Sequence, residues 1–342
     1  MPVAQSISPS EFAALSAARQ LHRVQQLARQ ALALYGLPLN SEICLLNYSE
    51  NATYLIHPPA AASLVLRINR PGYHPRSHIT SELEWVRALC SETPVKTAAP
   101  IAGRDGEFIQ HIWHPGVPEP RNCVLMSYLP GTEPDEANRH AVFSLLGETT
   151  ARLHLHSATW KPSTPIRRHR WDFDAMLGPQ PLWGKWQNGL GITPAKIRHL
   201  SRLVSMLRPK IEAIGESRSR FGLIHADLRA ANILVHQGEV AVIDFDDCGF
   251  SWFIYDLAAA LSFLETHSDV PSYIDAWLTA YQKIRPLSRA EISSIESFIL
   301  LRRMLLVAWI GSHADTQHAK AMGPEFTDDT CHLAENYMIR HS

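Results

Sequence analysis

The sequence predicts an α+β protein with a small antiparallel sheet in its first part and a larger, mainly helical second part. Two observations support this prediction. Short apolar runs of strand length, bounded by turn residues, recur between residues 43 and 129. From residue 138 onward, apolar residues instead recur at helical spacing. Pro130-Gly131 separates the two patterns, so we expect one lobe over residues 1–129 and another over residues 130–342.

The first lobe is expected to contain a leading helix, several strands and one further helix. Gly36 and Pro38 are typical of a helix end, and Gly103 to Gly106 of a hairpin turn. In chain order, the apolar spacing predicts a helix over residues 10–35, strands over 43–57 and 63–69, a helix over Ile79–Leu89, a hairpin over 98–113 and a strand over 123–129.

The second lobe is expected to be helical on both sides of an irregular segment, residues 158–193. Aromatic and cationic side chains in that segment suit a substrate pocket, because long loops in compact proteins are often functional. The alternative is that its tryptophans fill gaps in the core while its arginines face water. Helices are predicted over residues 138–157, 252–264, 271–284, 289–311 and 326–340.

Composition limits the possible classes of protein. A hydrophobic content of 46% and a charged content of 19% permit a large core, and the net charge of −1 gives no support to a nucleic-acid partner. Five scattered cysteines without a C-x-x-C pair indicate free thiols in a reducing compartment. Met1–Ser10 lacks a secretory pattern, and Arg302-Arg303 interrupts the apolar stretch Phe298–Ile310. We therefore expect a cytoplasmic protein without a membrane partner; a monomer and a homodimer both fit.

The most informative stretch covers residues 222–248. Its two apolar runs flank Gln237-Gly238, which predicts a tight hairpin. Asp227 and Asn232 precede the first strand of this hairpin, and Asp244 follows the second. Polar side chains at both open ends of one hairpin are expected to converge.

Such a convergence suits phosphoryl transfer. The reaction needs a carboxylate to accept a hydroxyl proton and oxygen ligands for magnesium on the nucleotide phosphates. The alternative is purely structural, with Asp227 and Asn232 capping a turn and Asp244 ending a strand.

The spacing H-x-D-x-x-x-x-N from His225 to Asn232, followed by Ile243-Asp244-Phe245, resembles the catalytic and metal-binding segments of kinase-fold phosphotransferases. Together with Leu64 to Arg67 and Leu146 to His154, it makes the chain similar to the aminoglycoside phosphotransferase/choline kinase family. Ala226 stands where that family most often has Gly. The pair Asp246-Asp247 is similar to the residues that homoserine kinase-like and stress-response kinase A-like members of that family have at this place.

The resemblance implies a protein-kinase-like bilobal fold and transfer from ATP with Mg²⁺. It implies that Asp227 is the catalytic base and that Asn232 and Asp244 are the magnesium ligands. Arg229, two residues after the base, would stabilise charge on the transferred phosphoryl group. The alternative for Arg229 is a solvent-exposed loop cation.

The resemblance also implies a nucleotide site in the first lobe. Arg67 on a strand would pair with Glu82 on the following helix, although protein kinases use Lys at that position and Glu84 is a competing carboxylate. The turn containing Ser49 and Asn51 would present main-chain N–H groups to phosphates, unless it is an ordinary hairpin turn. Ser127, Tyr128 and Leu129 would form the linker that contacts the adenine ring. The alternative is that this segment is only a strand followed by a turn.

Three functional hypotheses follow. The first is a kinase that phosphorylates a hydroxyl group of a small molecule such as an amino alcohol, a homoserine-like compound or an amino sugar. The second is a protein serine/threonine kinase of the stress-response type. The third is a nucleotide-binding pseudokinase scaffold, against which the presence of Asp227, Asn232 and Asp244 argues.

Overall fold

The computed structural model describes residues 7–48, 51–314 and 316–341. These residues form two compact units. The first comprises the described residues through Pro130 together with Pro162–Arg167, and the second comprises Gly131–Lys161 and the described residues from Arg168 onward. The first unit contains the larger sheet and the second most of the helices, which confirms the α+β class.

The first unit is built on a six-stranded sheet with β1-β2-β3-β6-β4 as its order and β5 also paired with β6. Each of its strand pairs is antiparallel. In chain order the elements are α1 (Pro9–Ala13), α2 (Ala17–Leu34), β1 (Glu42–Tyr48), β2 (Ala52–His57), β3 (Leu64–Ile68), α3 (Arg76–Glu92), β4 (Pro100–Ile101), β5 (Ile109–Ile112) and β6 (Arg121–Ser127).

Two predictions for this unit are wrong. The leading helix is interrupted before Ser16, which is the N-cap residue of α2, so two helices replace one. The segments expected to form a hairpin over residues 98–113 both pair with β6 instead, with Ile101 opposite Leu125 and Ile109 opposite Val124. They lie one after the other along the edge of β6 that β3 leaves open.

The second unit combines helices with two small antiparallel sheets, β7 with β10 and β8 with β9. Its elements are α4 (Arg139–Thr159), α5 (Phe173–Leu177), α6 (Pro194–Glu212), β7 (Phe221–Ile224), β8 (Ile233–His236), β9 (Glu239–Val242), β10 (Gly249–Trp252), α7 (Tyr255–Ala260), α8 (Val270–Tyr281), α9 (Arg289–Ser312), α10 (Gln317–Met322) and α11 (Glu325–His341). Among the helices so described, none has the length and apolar character needed to cross a membrane.

The predicted tight hairpin is confirmed. Gln237 and Gly238 have φ values of 51° and 78°, and two consecutive positive values are typical of the turn that matches the twist of a two-residue hairpin. The helix predicted over residues 252–264 is wrong at both ends, because Trp252 ends β10 opposite Phe221 and α7 covers Tyr255–Ala260. The prediction of free thiols is confirmed for the five cysteines, which all lie in the described part of the chain.

Helices α4 and α8 approach each other closely at Gly147. A Cβ atom at this position would lie 2.3 Å from the main-chain oxygen of Trp277. Trp277 is itself fully buried and stacks on Tyr281, so its main chain has little room to move. The glycine is therefore required by packing and not by backbone conformation.

We predict that Gly147→Ala lowers the free energy of unfolding by ~1–3 kcal/mol, because the added methyl group forces the two helices apart. Urea unfolding followed by circular dichroism measures the change. Ser144→Ala, on the exposed face of the same helix, is the matched control and is expected to stay within ~0.5 kcal/mol of the parent protein. An unchanged stability of Gly147→Ala would contradict the close approach.

Candidate functional site

The loop between β7 and β8 contains His225, Asp227, Arg229 and Asn232. Its main chain turns at Ala226, whose φ of 67° lies in the left-handed region that favours glycine. The carboxylate of Asp256 stabilises this turn, because it accepts the main-chain N–H of His225 at 3.1 Å and that of Ala226 at 2.7 Å. Asp256 therefore compensates for the absence of a glycine.

Asp256 belongs to a buried hydrogen-bond network. The Arg285 guanidinium donates to the Tyr281 hydroxyl at 2.9 Å, and that hydroxyl donates to Nδ1 of His154 at 2.8 Å. His154 then donates from Nε2 to Asp256 at 3.0 Å. In this arrangement the imidazole is neutral, which agrees with its pKa, because burial lowers that pKa more than Asp256 raises it. The network fixes the orientation of the Asp256 carboxylate.

The Asp227 carboxylate is held on both of its oxygens. Oδ1 accepts from Arg302 at 2.5 Å, while Oδ2 accepts from Asn232 at 2.8 Å and from Arg229 at 3.2 Å. Burial raises the pKa of the Asp227 carboxyl, but the charges of Arg302 and Arg229 outweigh burial and lower that pKa below its usual value. The side chain is therefore an anion, suited to accept a hydrogen bond from a hydroxyl group.

The two ends of the predicted hairpin are joined. The main-chain N–H of Ile243 donates to the carbonyl of Asn232 at 3.0 Å, and Nε2 of His225 donates to the carbonyl of Ile243 at 3.0 Å. Nδ1 of His225 accepts the N–H of Asp227, so this imidazole is also neutral. The structure thus connects Asp227 and Asn232 directly, and connects both through Ile243 to the residue that follows it, Asp244.

Asp244 is exposed and follows the last residue of β9, Val242, by two positions; its main chain is left-handed, with φ of 62°. Its Oδ1 accepts the main-chain N–H of Asp246 at 3.4 Å. The hydrogen bond from Ile243 to the Asn232 carbonyl joins the residue before Asp244 to Asn232. The Asp244 carboxylate and the Asn232 amide offer oxygen ligands of the kind that Mg²⁺ prefers.

The irregular segment 158–193 supports the turn after Asp244. Arg168 is buried and donates to the carbonyls of Asp246 and Cys248, the latter at 2.6 Å. Trp171 donates from its indole nitrogen to the carbonyl of Asp247 at 2.8 Å. Arg168 therefore binds main-chain carbonyls in the interior. The hypothesis that the arginines of this segment face water is wrong for this residue.

In the first unit, Arg67 and Glu82 form the expected ion pair. One terminal nitrogen of Arg67 lies 2.7 and 2.9 Å from the two carboxylate oxygens, and Glu82 is fully buried. The competing carboxylate, Glu84, instead accepts from the hydroxyls of Ser163 and Thr164. The pairing is therefore resolved in favour of Glu82, whereas the role of the pair toward a nucleotide stays a prediction.

The remaining predicted nucleotide contacts are placed as follows. Oδ1 of Asn51 accepts the main-chain N–H of Arg70 at 2.9 Å, while Ser49 lies outside the described residues. The Ser127 hydroxyl accepts the N–H of Ala99 at 2.9 Å at the end of β6. Two residues continue beyond that strand, an exposed Tyr128 and a half-buried Leu129. Their binding roles stay predictions.

Arg302 is the residue of this site that the sequence analysis missed. It lies on α9, 75 residues after Asp227, and its side chain is 2% exposed. The available signal was the pair Arg302-Arg303 within an apolar helix, which was used only to exclude a membrane span. A buried arginine is costly unless a carboxylate accepts it, so two arginines on a core helix predict buried acids nearby.

We predict that Asp256→Ala lowers the free energy of unfolding by ~3 kcal/mol or more, because buried donors on His225, Ala226 and His154 lose their acceptor. Urea unfolding measures this loss. Asp275→Ala, an exposed acid on α8, is the control and is expected to change stability by less than ~0.5 kcal/mol. Equal effects of the two substitutions would exclude the proposed bracing role of Asp256.

Comparison with known proteins adds independent evidence. The profile of the phosphotransferase enzyme family (APH) matches residues 45–291. A solved structure, described as a microcompartment-associated aminopropanol kinase, is 37% identical, covers 92% of this chain and 98% of its own, and has a TM-score of 0.84. The amicoumacin kinase of Bacillus subtilis (strain 168) is 23% identical over 303 residues, with 84% of this chain and 85% of its own covered.

A further solved structure is that of an amicoumacin kinase in complex with AMP-PNP and Ca²⁺. It is 23% identical, covers 92% of this chain and 96% of its own, and has a TM-score of 0.75. These likenesses confirm the predicted kinase-like fold and the prediction of a phosphotransferase enzyme. Since the family profile covers most of the chain, the protein belongs to the phosphotransferase enzyme family.

Proposed function

We propose that the protein transfers the terminal phosphoryl group of ATP, with Mg²⁺, to a hydroxyl group of a small molecule of the amino alcohol, homoserine-like or amino sugar type. The observation that carries this proposal is the Asp227 carboxylate, held anionic between Arg302, Arg229 and Asn232 at the open end of a hairpin. Kinship with a structure described as an aminopropanol kinase, at 37% identity, supports an amino alcohol as the acceptor.

In the proposed reaction Asp227 aligns the acceptor hydroxyl for in-line transfer and accepts its proton as the hydroxyl oxygen bonds to the γ-phosphorus of ATP, while the bond between that phosphorus and the β–γ bridging oxygen breaks and ADP leaves. Arg229 contacts the same carboxylate, but its side chain is 34% exposed. It therefore has the freedom to contact the transferred phosphoryl group, and its guanidinium has the geometry to bind two of the phosphoryl oxygens.

Asn232 and Asp244 are the proposed magnesium ligands. The amide nitrogen of Asn232 donates to Asp227, which leaves its Oδ1 as the atom able to bind a cation. One amide oxygen and one carboxylate, both hard donors, suit Mg²⁺, which usually takes few protein ligands and completes its shell with phosphate oxygens and water. When bound, the ion would neutralise charge on the nucleotide phosphates. The AMP-PNP and Ca²⁺ named for the related amicoumacin kinase support a nucleotide with a divalent cation.

We propose that the lobe over residues 1–129 binds the nucleotide, and that the lobe over 130–342 provides the catalytic and metal-binding loops and the substrate site. Arg67 is proposed to bind the phosphates of ATP, and Glu82 holds its guanidinium in place. The other proposed nucleotide contacts are Ser49, Asn51, Ser127, Tyr128 and Leu129.

An acceptor screen tests the proposed function. Purified protein with Mg-ATP is assayed for ADP release over a panel of amino alcohols, including aminopropanol, amino acids with hydroxyl groups and amino sugars. We expect turnover with at least one amino alcohol and a fall in kcat of ~10²–10⁴-fold in Asp227→Asn, because the orienting carboxylate is lost. Labelling of added proteins without turnover of any small molecule would favour the protein kinase hypothesis. ATP binding without any turnover would favour the pseudokinase.

We predict that Asp244→Asn raises the Mg²⁺ concentration for half-maximal activity ~10-fold or more, because one anionic ligand becomes a neutral one. A magnesium titration at fixed ATP measures the shift. Asp275→Asn, which also removes one negative charge but lies on the exposed face of α8, is expected to titrate like the parent protein. Coinciding curves for Asp244→Asn and the parent protein would remove Asp244 from the metal site.

A further inference from the structure

Arg302 uses all three nitrogens of its guanidinium in the second unit. Nε donates to the Ser262 hydroxyl at 2.9 Å, and one terminal nitrogen lies 3.3 Å from the Tyr255 hydroxyl and 3.4 Å from the Ala226 carbonyl. The other terminal nitrogen donates to Oδ1 of Asp227 at 2.5 Å. The guanidinium thus has a partner at each of its three nitrogens, so it can hold a carboxylate in one orientation.

The two oxygens of Asp227 have different surroundings. Oδ1 is bound by Arg302, whose side chain is almost fully buried. Oδ2 is bound by Asn232 and by Arg229, the partner that is one-third exposed. An acceptor hydroxyl arriving from solvent can replace the Arg229 contact at Oδ2, whereas the Arg302 contact at Oδ1 is enclosed.

We propose that Arg302 is a positioning residue, which fixes the rotamer of Asp227 and presents Oδ2 to the acceptor hydroxyl. This inference rests on the proposed function, because it assigns a geometry to the base of that reaction. Misplacing a reacting group by about 1 Å can cost ~10²-fold in rate, so a clamp on the non-reacting oxygen affects kcat without any contact to the acceptor.

The neighbouring Arg303 provides a matched comparison. It is also buried on α9, but its partners are Glu265 at 2.7 Å, the Thr330 hydroxyl at 2.9 Å and the Phe326 carbonyl at 3.0 Å. Neither Asp227 nor any other proposed catalytic residue is among these partners. A substitution at Arg303 therefore has the structural cost of losing a buried arginine without the loss of the clamp.

The test is a double-mutant cycle on kcat, with Mg-ATP and the best acceptor of the panel. We expect Arg302→Met to lower kcat ~10²-fold while KM for ATP changes less than ~twofold. In an Asp227→Asn background the same substitution is expected to lower kcat by less than ~threefold, because the group it positions is already absent. Arg303→Met, in contrast, is expected to lower kcat by the same factor in the parent protein and in the Asp227→Asn background.

Arg302→Lys keeps a cation near Oδ1 but not the planar fork, and an intermediate kcat is expected for it. If Arg302→Met does not fold, as judged by urea unfolding, the cycle is read from Arg302→Lys instead. Equal factors for Arg302 substitution in the parent and Asp227→Asn backgrounds, or no effect on kcat, would overturn the inference. Full turnover by Asp227→Asn alone would instead reject the assignment of Asp227 as the base, whereas absence of turnover of every acceptor by the parent protein would reject the proposed function.

Discussion

The hydrogen bonds that Asp256 accepts from the main chain of His225 and Ala226 are the constraint on which the candidate site depends. They hold the main chain in a left-handed turn that an alanine does not favour by itself. Asp227 follows that turn directly, so the position of its main chain depends on the Asp256 carboxylate, and the Arg302 guanidinium binds its side chain. A buried carboxylate with several donors is stable in this position, whereas the same donors without it would be costly.

A second layer of hydrogen bonds converts this turn into a site. His225 binds the Ile243 carbonyl, and Ile243 binds the Asn232 carbonyl, so the loop before β8 and the end of β9 cannot move independently. Within this frame the Asp227 carboxylate and the amide nitrogen of Asn232 are held by hydrogen bonds. The more exposed Arg229 is proposed to contact the phosphoryl group, and the exposed Asp244 is proposed to bind the metal ion together with Oδ1 of the buried Asn232.

Buried arginines recur in both units, and each is matched by acceptors. Arg67 faces Glu82, Arg303 faces Glu265, and Arg302 faces Asp227. Moving a charge from water into the protein interior costs free energy, so a buried ion pair adds little to stability even when its partners are well placed. Arg302 differs from the other two because its partner is the proposed catalytic base, so the same interaction that compensates for burial also orients that base.

The local part of the site is encoded by residues close together along the chain. The Gln237-Gly238 turn sets the register of β8 and β9, and the spacing from Asp227 to Asn232 suffices to bring an amide to a carboxylate. Such contacts need only local conformational preferences, and the sequence patterns reveal them. The helical periods of α8, α9 and α11 are predictable for the same reason.

Pairings between distant segments were decided by the tertiary structure alone. Arg302 binds Asp227, which lies 75 residues earlier in the chain. Strand β10 pairs with β7, although the hairpin of β8 and β9 lies between them in the sequence. The sequence of residues 98–113 predicts a hairpin, but β4 and β5 in this segment both pair with β6. A sequence pattern shows that a buried cation or a strand needs a partner, but which partner it obtains depends on how the whole chain packs.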